Sequence, residues 1–339
     1  MEVKALKFGG LTAKRPIVQG GMGVGVSLSS LAGNVAKCGG IGTISGVHPG
    51  YREADFKENP FRANLRAIGN ELEKAKEIAN GGIIGFNFMT VMNHYEEYVK
   101  EAIAAGADFI VSGAGLPVNL AKYAAGTRAA ILPIVSSARA LKLIVKQWQR
   151  ADRLPDAVVV EGPLAGGHLG YPYGHLVDGT FDTLEDSLVD VVDYVRELEE
   201  KNGVIIPVIA GGGVRSHADM ERLMALGARE ECDAAPAFKQ AYLRSRKEDV
   251  QLIESPVGLA ARAIRNSFLE KVEKQGRIPV QRCYQCMNHC KQAETKYCIS
   301  QALIDAVQGR EGLVFCGANA YEIEKLSTVE KVMQELCGE

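Results

Sequence analysis

VVVEGPLAGGHLGY, residues 158–171, holds an apolar run from Val158 to Val160 that stops at Glu161. A loop with the paired glycines Gly166 and Gly167 follows, then a single histidine, His168. So short an apolar run before a glycine loop reads as a buried strand of a parallel α/β sheet, and ligands bind such sheets at the strands' C-terminal ends. Paired glycines let backbone approach a flat ligand closely and take dihedrals closed to other residues. An imidazole held there is an acid/base or electrostatic group; the plain alternative is that His168 only hydrogen-bonds its own loop.

Outward from this stretch the chain alternates apolar runs with amphipathic ones. Strands are expected in Arg15 to Met22, Ile41 to Val47, Ile83 to Met89, Phe109 to Ser112, Ala130 to Val135, Val158 to Val160 and Val204 to Ala210. Helices are expected over Ser27 to Lys37, Pro60 to Ala79, His94 to Ala105, a short stretch from Val118, Ala138 to Gln149, Leu184 to Glu200 and Ala218 to Ala225. Seven strand–helix units imply a parallel sheet covered by helices. The strands end in small or polar groups: Gly20-Gly21, Ser45-Gly46, Asn87, Ser112-Gly113, Ser136-Ser137, Glu161 and Gly211 to Gly213. Ligand-facing groups at nearly every strand end suit a closed barrel mouth better than an open sheet with one switch point. Gly211, Gly212 and Gly213 after the seventh strand occupy the place where barrels bind phosphate on backbone N–H groups, although a tight turn also explains a glycine triplet.

Composition narrows the partners. A net charge of −2 gives no reason to expect nucleic acid or an anionic membrane as partner, and the N-terminus MEVKALKFGG has no apolar signal core. A cytoplasmic protein acting on a small molecule is expected, with a homo-oligomer left open. Eight cysteines in such a chain read as thiols or metal ligands rather than a disulfide framework.

PIVQGGMG (Pro16 to Gly23), GFNFM (Gly85 to Met89), EGPLAGGHLG around His168 and PVIAGGGV (Pro207 to Val214) together resemble the nitronate monooxygenase family, formerly 2-nitropropane dioxygenase. That family also includes flavin-dependent enoyl-acyl-carrier-protein reductases. The resemblance runs from about residue 5 to Ala228 and resumes in SPVGLAARAIRNSF, Ser255 to Phe268. It implies a TIM-type (β/α)8 barrel with non-covalent FMN. Gly21 and Met22 would lie against the flavin, Asn87 would hydrogen-bond it, and Gly166 and Gly167 would pass close by. Glu161 would stand at the same strand ends, Gly211, Gly212 and Gly213 would hold phosphate, and His168 would act over the ring. The implied activity is an FMN-dependent oxidoreductase that oxidises alkyl nitronates. The alternatives are an NAD(P)H-dependent enoyl-thioester reductase, and an inactive barrel serving as a structural or metal-binding partner.

The sequence departs from the resemblance twice. No apolar run follows the seventh helix: after GVRSHADMERLMALGA the chain passes straight into REECDAAPAFKQAYLRSRKEDV, so strand eight is expected to be missing, with roughly a dozen residues absent between Ala228 and Glu231. A lost piece of sequence, a true deletion and a later substitute are the three explanations. The immediate return to the family pattern favours the first, and a complete sequence would imply weak FMN binding. The second departure is CYQCMNHCKQAETKYC, whose Cys283, Cys286, Cys290 and Cys298 have a spacing typical of zinc or an iron–sulfur cluster, with His289 as a substitute ligand. The expected organisation is therefore an FMN-binding barrel over residues 1–228 and a C-terminal helical segment with a cysteine cluster over residues 229–339. His48, His175, Tyr171 and Tyr173 are further candidates for the mouth. Cys38 reads as core, and Arg262 and Arg265, in a helical run, as surface or capping residues or else as groups that meet an acidic substrate.

Overall fold

The computed structural model describes residues 4–225, 228–232, 239–288, 290–323 and 327–339. A hairpin of β1 (Leu6–Phe8) and β2 (Leu11–Ala13) precedes β3 (Ile17–Gln19), α1 (Ser29–Lys37), β4 (Ile41–Ser45), α2 (Pro60–Ala79), β5 (Ile83–Met89) and α3 (Tyr95–Ala104). Next come β6 (Phe109–Gly113), α4 (Leu120–Tyr123), β7 (Ala130–Val135), α5 (Ala138–Trp148) and β8 (Val158–Glu161). The short strand β9 (Gly167–Leu169) and helix α6 (Tyr173–Asp178) lead to α7 (Leu184–Asn202), β10 (Val208–Gly211), α8 (His217–Ala225) and β11 (Ala228–Cys232). The remainder is α9 (Lys239–Arg244), β12 (Val250–Glu254), β13 (Ala260–Ile264), α10 (Ser267–Gln275), α11 (Ile299–Val307) and α12 (Val329–Cys337).

Strands β3 to β8, β10 and β11 close into a parallel barrel. Among the described residues no apolar eighth strand follows α8, but the expectation that the eighth position is missing is corrected. The polar stretch AREEC pairs with β10 on one side, Val208 opposite Ala228, and with β3 on the other, Glu230 opposite Ile17. Backbone N–H and C=O groups make that ladder whatever the side chains, and closure removes two costly edges, so polarity does not bar the segment. The neighbouring β3–β4 seam has a single residue pair, and the Gln19 carboxamide reinforces it, donating to the Thr43 carbonyl and accepting from the Thr43 N–H.

Strand periodicity sorts the side chains. Val159 of β8, Val111 of β6, Leu132 of β7 and Ile209 of β10 fill the barrel interior with Leu6 and Phe8 of the hairpin, which therefore stoppers the lower end. Val158, Val160, Ile84, Phe86 and Phe88 face outward into the helix layer with Leu72, Ile144 and Val191. Each fully buried side chain of this size contributes roughly 1.5–3 kcal/mol. The helices start and stop on local chemistry: Asn59 caps α2 ahead of Pro60, Ser137 caps α5, and Thr183 and Asp186 form a capping box on α7. Met333 and Leu336 of α12 pack with Leu31 and Val35 of α1 and Met220 of α8, so the last helix covers the barrel between its seventh and first helices. His217 Nδ1 meets the Leu336 carbonyl at 2.8 Å, and Arg15 pairs with Glu339.

A three-stranded antiparallel sheet, ordered β12-β13-β9, lies outside the ring. It corrects the helical reading of Arg262: AARAI is a buried strand paired with β9, because tertiary pairing overrides the helix propensity of alanine-rich sequence. Among the described residues no helix is long and apolar enough to cross a membrane.

Candidate active site

The inward side of each barrel strand climbs in steps of two residues to the mouth. Val159 therefore leads to Glu161, Val111 to Gly113, Leu132 to Ile134 and on to Ser136, and Ile209 to Gly211. On β5 the same alternation brings Asn87 and Met89 to the inner face while Phe86 and Phe88 face the helices. These strand ends line one cavity of about 1490 Å³, and the residues that the family resemblance implied for the flavin site border it: Gly21, Met22, Asn87, Glu161, Gly166, Gly167, His168, Gly211, Gly212 and Gly213. Tyr171 and Tyr173 also border it.

Close approach explains one glycine position, and backbone conformation explains two more. A Cβ on Gly21 would stand 2.4 Å from Asn87 Cβ, so only glycine lets the first loop cross beneath that side chain. Gly212 and Gly213 have φ of +98° and +88°, left-handed values that turn the loop after β10 across the mouth. The Asn87 backbone carbonyl accepts from the Gly46 N–H, while its carboxamide makes no hydrogen bond among the described residues. Met22, by contrast, has its backbone occupied: its N–H donates to Ser27 Oγ and its carbonyl accepts from the Ser27 N–H.

His168 stands on β9 itself rather than on a loop beyond a strand. Its Nε2 lies 2.8 Å from Ser255 Oγ, and its ring meets Phe315 edge to face with centroids 5.0 Å apart. Burial lowers its pKa to about 4, so the imidazole is neutral at pH 7. Ser255 and Phe315 were not identified from the sequence. Ser255 belongs to the quoted SPVG motif, but nothing in the sequence links a serine to a histidine 87 positions away. Glu161 Oε2 accepts from the Gly170 N–H at 3.0 Å, and Tyr171 donates to the Glu161 carbonyl, which ties the His168 strand to the end of β8.

Other candidates fall elsewhere. His48 is buried, with Nε2 2.8 Å from Ser300 Oγ, and borders a small second cavity that also touches His168. His175 is exposed on α6, and Cys38 is part-buried at the end of α1. Arg265 is near the surface beside Glu270 and Glu273, whereas Arg262 is buried, contrary to the surface reading.

The expectation of zinc or an iron–sulfur cluster is overturned: among the described residues no three His, Cys, Asp or Glu side chains are grouped to hold a metal ion. His289 lies outside the described residues. The segment is held by backbone instead, through a bridge between Met92 and Met287 and hydrogen bonds from the Asn93 N–H to the Cys286 carbonyl and from the Asn288 N–H to the Val91 carbonyl. Burial raises the Cys286 thiol to about 12 and also raises Cys290 and Cys298, which opposes the thiolate form a metal requires. Cys290 is exposed.

The sequence model of the nitronate monooxygenase family matches residues 4–339. No curated protein matches. FabK from Thermotoga maritima has the same fold at TM-score 0.71 and 21% identity, over 96% of this chain and 92% of that one. A nitroalkane oxidase from Streptomyces ansochromogenes superposes at TM-score 0.67 with 17% identity, over 95% and 94% of the two chains. The enoyl reductase domain of MlnA from Bacillus amyloliquefaciens gives TM-score 0.65 with 14% identity, over 95% and 93%.

Proposed function

We propose, for a chain that belongs to the nitronate monooxygenase family, that it is an FMN-dependent oxidoreductase whose preferred reaction is reduction of a 2-enoyl thioester with NAD(P)H. The observation that carries the choice of substrate is the mouth cavity. At about 1490 Å³ it exceeds the roughly 300–1000 Å³ typical of a single small-molecule site, which suits a flavin plus an extended acyl chain better than a flavin plus a small nitronate. Its charges agree. Glu161, Glu254, Glu294, Glu322 and Glu335 border it, while its cations Arg215 and Lys296 are paired with Glu322 and Glu254. A nitronate carries its negative charge on arrival and gains little from this surface or from a neutral His168, whereas an enoyl thioester is neutral at the reacting end and develops charge only during reaction.

The residues present fit FMN. Gly21 leaves room against Asn87, the Asn87 carboxamide offers hydrogen bonds the protein does not use, Gly166 and Gly167 form part of the wall, and Gly212 and Gly213 turn backbone toward the phosphate position. Bound there, FMN supplies hydride transfer. Reduction of the enoyl group adds a hydride at Cβ and a proton at Cα. The hydrogen-bonded pair of His168 Nε2 and Ser255 Oγ borders the same cavity and can hold the thioester oxygen as charge builds on it or pass the proton. Phe315, behind the imidazole, fixes the ring's plane. Likeness in fold to FabK and to the MlnA domain supports this reading; nitronate oxidation is the second, favoured by the family match and the nitroalkane oxidase.

The test is steady-state turnover of FMN-loaded protein. Crotonyl thioester should be converted to the butyryl product with one NAD(P)H consumed, at a kcat/KM well above that for ethyl nitronate. Faster turnover of the nitronate without any nicotinamide would replace the first reading by the second.

A further inference from the structure

We propose that Arg262 polarises the Ala165–Gly166 peptide, making the Gly166 N–H a fixed donor for negative charge that develops in the mouth cavity. The source of that charge rests on the flavin-enzyme reading above; the geometry does not.

Arg262 sits on β13 opposite Gly167 of β9 and is only 8% exposed. Its Nη1 donates to the Ala165 carbonyl at 2.6 Å. Among the described residues no carboxylate pairs with it, and the nearby Cys316 thiol is no counter-ion, because burial raises that thiol to about 12. Leaving a guanidinium buried without a counter-charge is costly, and guanidinium does not escape by losing its proton. Such a charge is readily understood where its field is put to use.

Ala165 and Gly166 border the cavity and Arg262 does not. In a planar trans peptide the C=O and N–H point in opposite directions. With the Ala165 carbonyl turned back toward Arg262, the Gly166 N–H points forward, and it has no acceptor among the described residues. A cation on the carbonyl end strengthens the donor at the other end of the same peptide. The peptide is also clamped. A Cβ on Gly166 would lie 3.1 Å from Cys316 C and Gly317 N, the Arg262 carbonyl accepts from the Cys316 N–H, and the Leu164 carbonyl accepts from the Ala318 N–H. A donor so fixed need not reorganise when charge appears, which is the condition for electrostatic catalysis. The acceptor is an anionic oxygen or nitrogen, carried either by the reduced cofactor or by the substrate's enolate. Arg262 is thus a positioning residue acting through Gly166.

The experiment uses Arg262→Gln, which keeps a donor for the carbonyl and removes the charge, and Arg262→Lys, which keeps the charge. Labelling alanine carbonyl carbon and glycine nitrogen selects the Ala–Gly peptides alone, at Gly33, Gly106, Gly115, Gly126, Gly166 and Gly211. In cofactor-free protein the Gly166 amide proton should move upfield in R262Q and return toward the wild-type position in R262K, while Gly33 and Gly106 stay in place. In FMN-loaded protein, charge on the cofactor predicts a reduction equilibrium about tenfold less favourable in R262Q, about 30 mV for a two-electron couple. Charge on the substrate predicts an unchanged potential with kcat reduced at constant KM. A stationary Gly166 amide in R262Q overturns the proposal, as does a moved amide with potential and kcat both unchanged. If R262Q does not fold, the wild-type protein decides. Its Gly166 amide should move downfield on reduction of the bound flavin or on addition of acyl thioester, and no movement under either refutes the role. Failure of the wild type to bind FMN removes the flavin reading and leaves the cofactor-free R262Q comparison as the test.

Discussion

Acidification should weaken this fold through His48 by an amount the structure sets. His48 is 3% exposed, wedged between Phe56 and Tyr284. The Asn64 Oδ1 accepts from the Gly50 N–H, so the Asn64 amide N–H donates to His48 Nδ1, and the proton on Nε2 is directed to Ser300 Oγ. Burial lowers the pKa of this imidazole from 6.5 to about 4. The unfolded chain binds a proton near pH 6.5 that the folded chain refuses until about pH 4, so the stabilisation is complete above pH 6.5 and is lost as pH falls toward 4. At 1.36 kcal/mol per pH unit the full loss is about 3 kcal/mol, with about 2 kcal/mol already gone at pH 5. Urea unfolding of wild type and His48→Gln at pH 8, 6 and 5 isolates this share, since His168 and the carboxylates titrate alike in both. The stability difference between the two proteins should shrink by about 2 kcal/mol from pH 8 to pH 5. Parallel pH profiles would refute the claim that a neutral, buried His48 joins the barrel to α11.

Other expected outcomes concern the site and the scaffold. His168→Ala should leave FMN affinity within a few-fold, by fluorescence titration, while lowering turnover roughly 10²–10⁴-fold; unchanged turnover would remove His168 from the chemistry. Gly21→Ala places a methyl 2.4 Å from Asn87 Cβ and should weaken FMN binding at least tenfold, whereas Gly174→Ala, with nothing within 4 Å, should not. Gly69 lies inside α2 with open space at its Cβ position, so Gly69→Ala should raise stability by about 0.5–1 kcal/mol, seen as a higher Tm.

What could be read from the sequence was whatever depends on local period and local turns. The run Ala130 to Val135 appears as β7 with those same bounds, and Pro60 to Ala79 as α2, because apolar spacing and the Asn59-Pro60 start are local signals. The strand-end residues were legible for the same reason, since alternation along each strand fixes which side chain reaches the mouth. What depended on partners distant in sequence was not. AREEC carries no apolar pattern and becomes a strand only because β10 and β3 offer ladders on both sides. AARAI favours a helix until β9 and β12 pair with it, and that pairing turns Arg262 from a surface residue into a buried one. The cysteine spacing suggested a metal, but spacing does not show that Cys286 turns inward beside Ser300 while Cys290 stays exposed.

The most direct test of the central claim is anaerobic stopped-flow mixing of FMN-loaded protein with NADPH, with NADH, and separately with an alkyl nitronate. The account predicts saturable FMN binding and rapid bleaching of the flavin band by a reduced nicotinamide, followed by reoxidation on adding crotonyl thioester. Bleaching by nitronate alone, with neither nicotinamide effective, would contradict the reductase reading. Failure to bind FMN at all would contradict the assignment of the mouth cavity to a flavin.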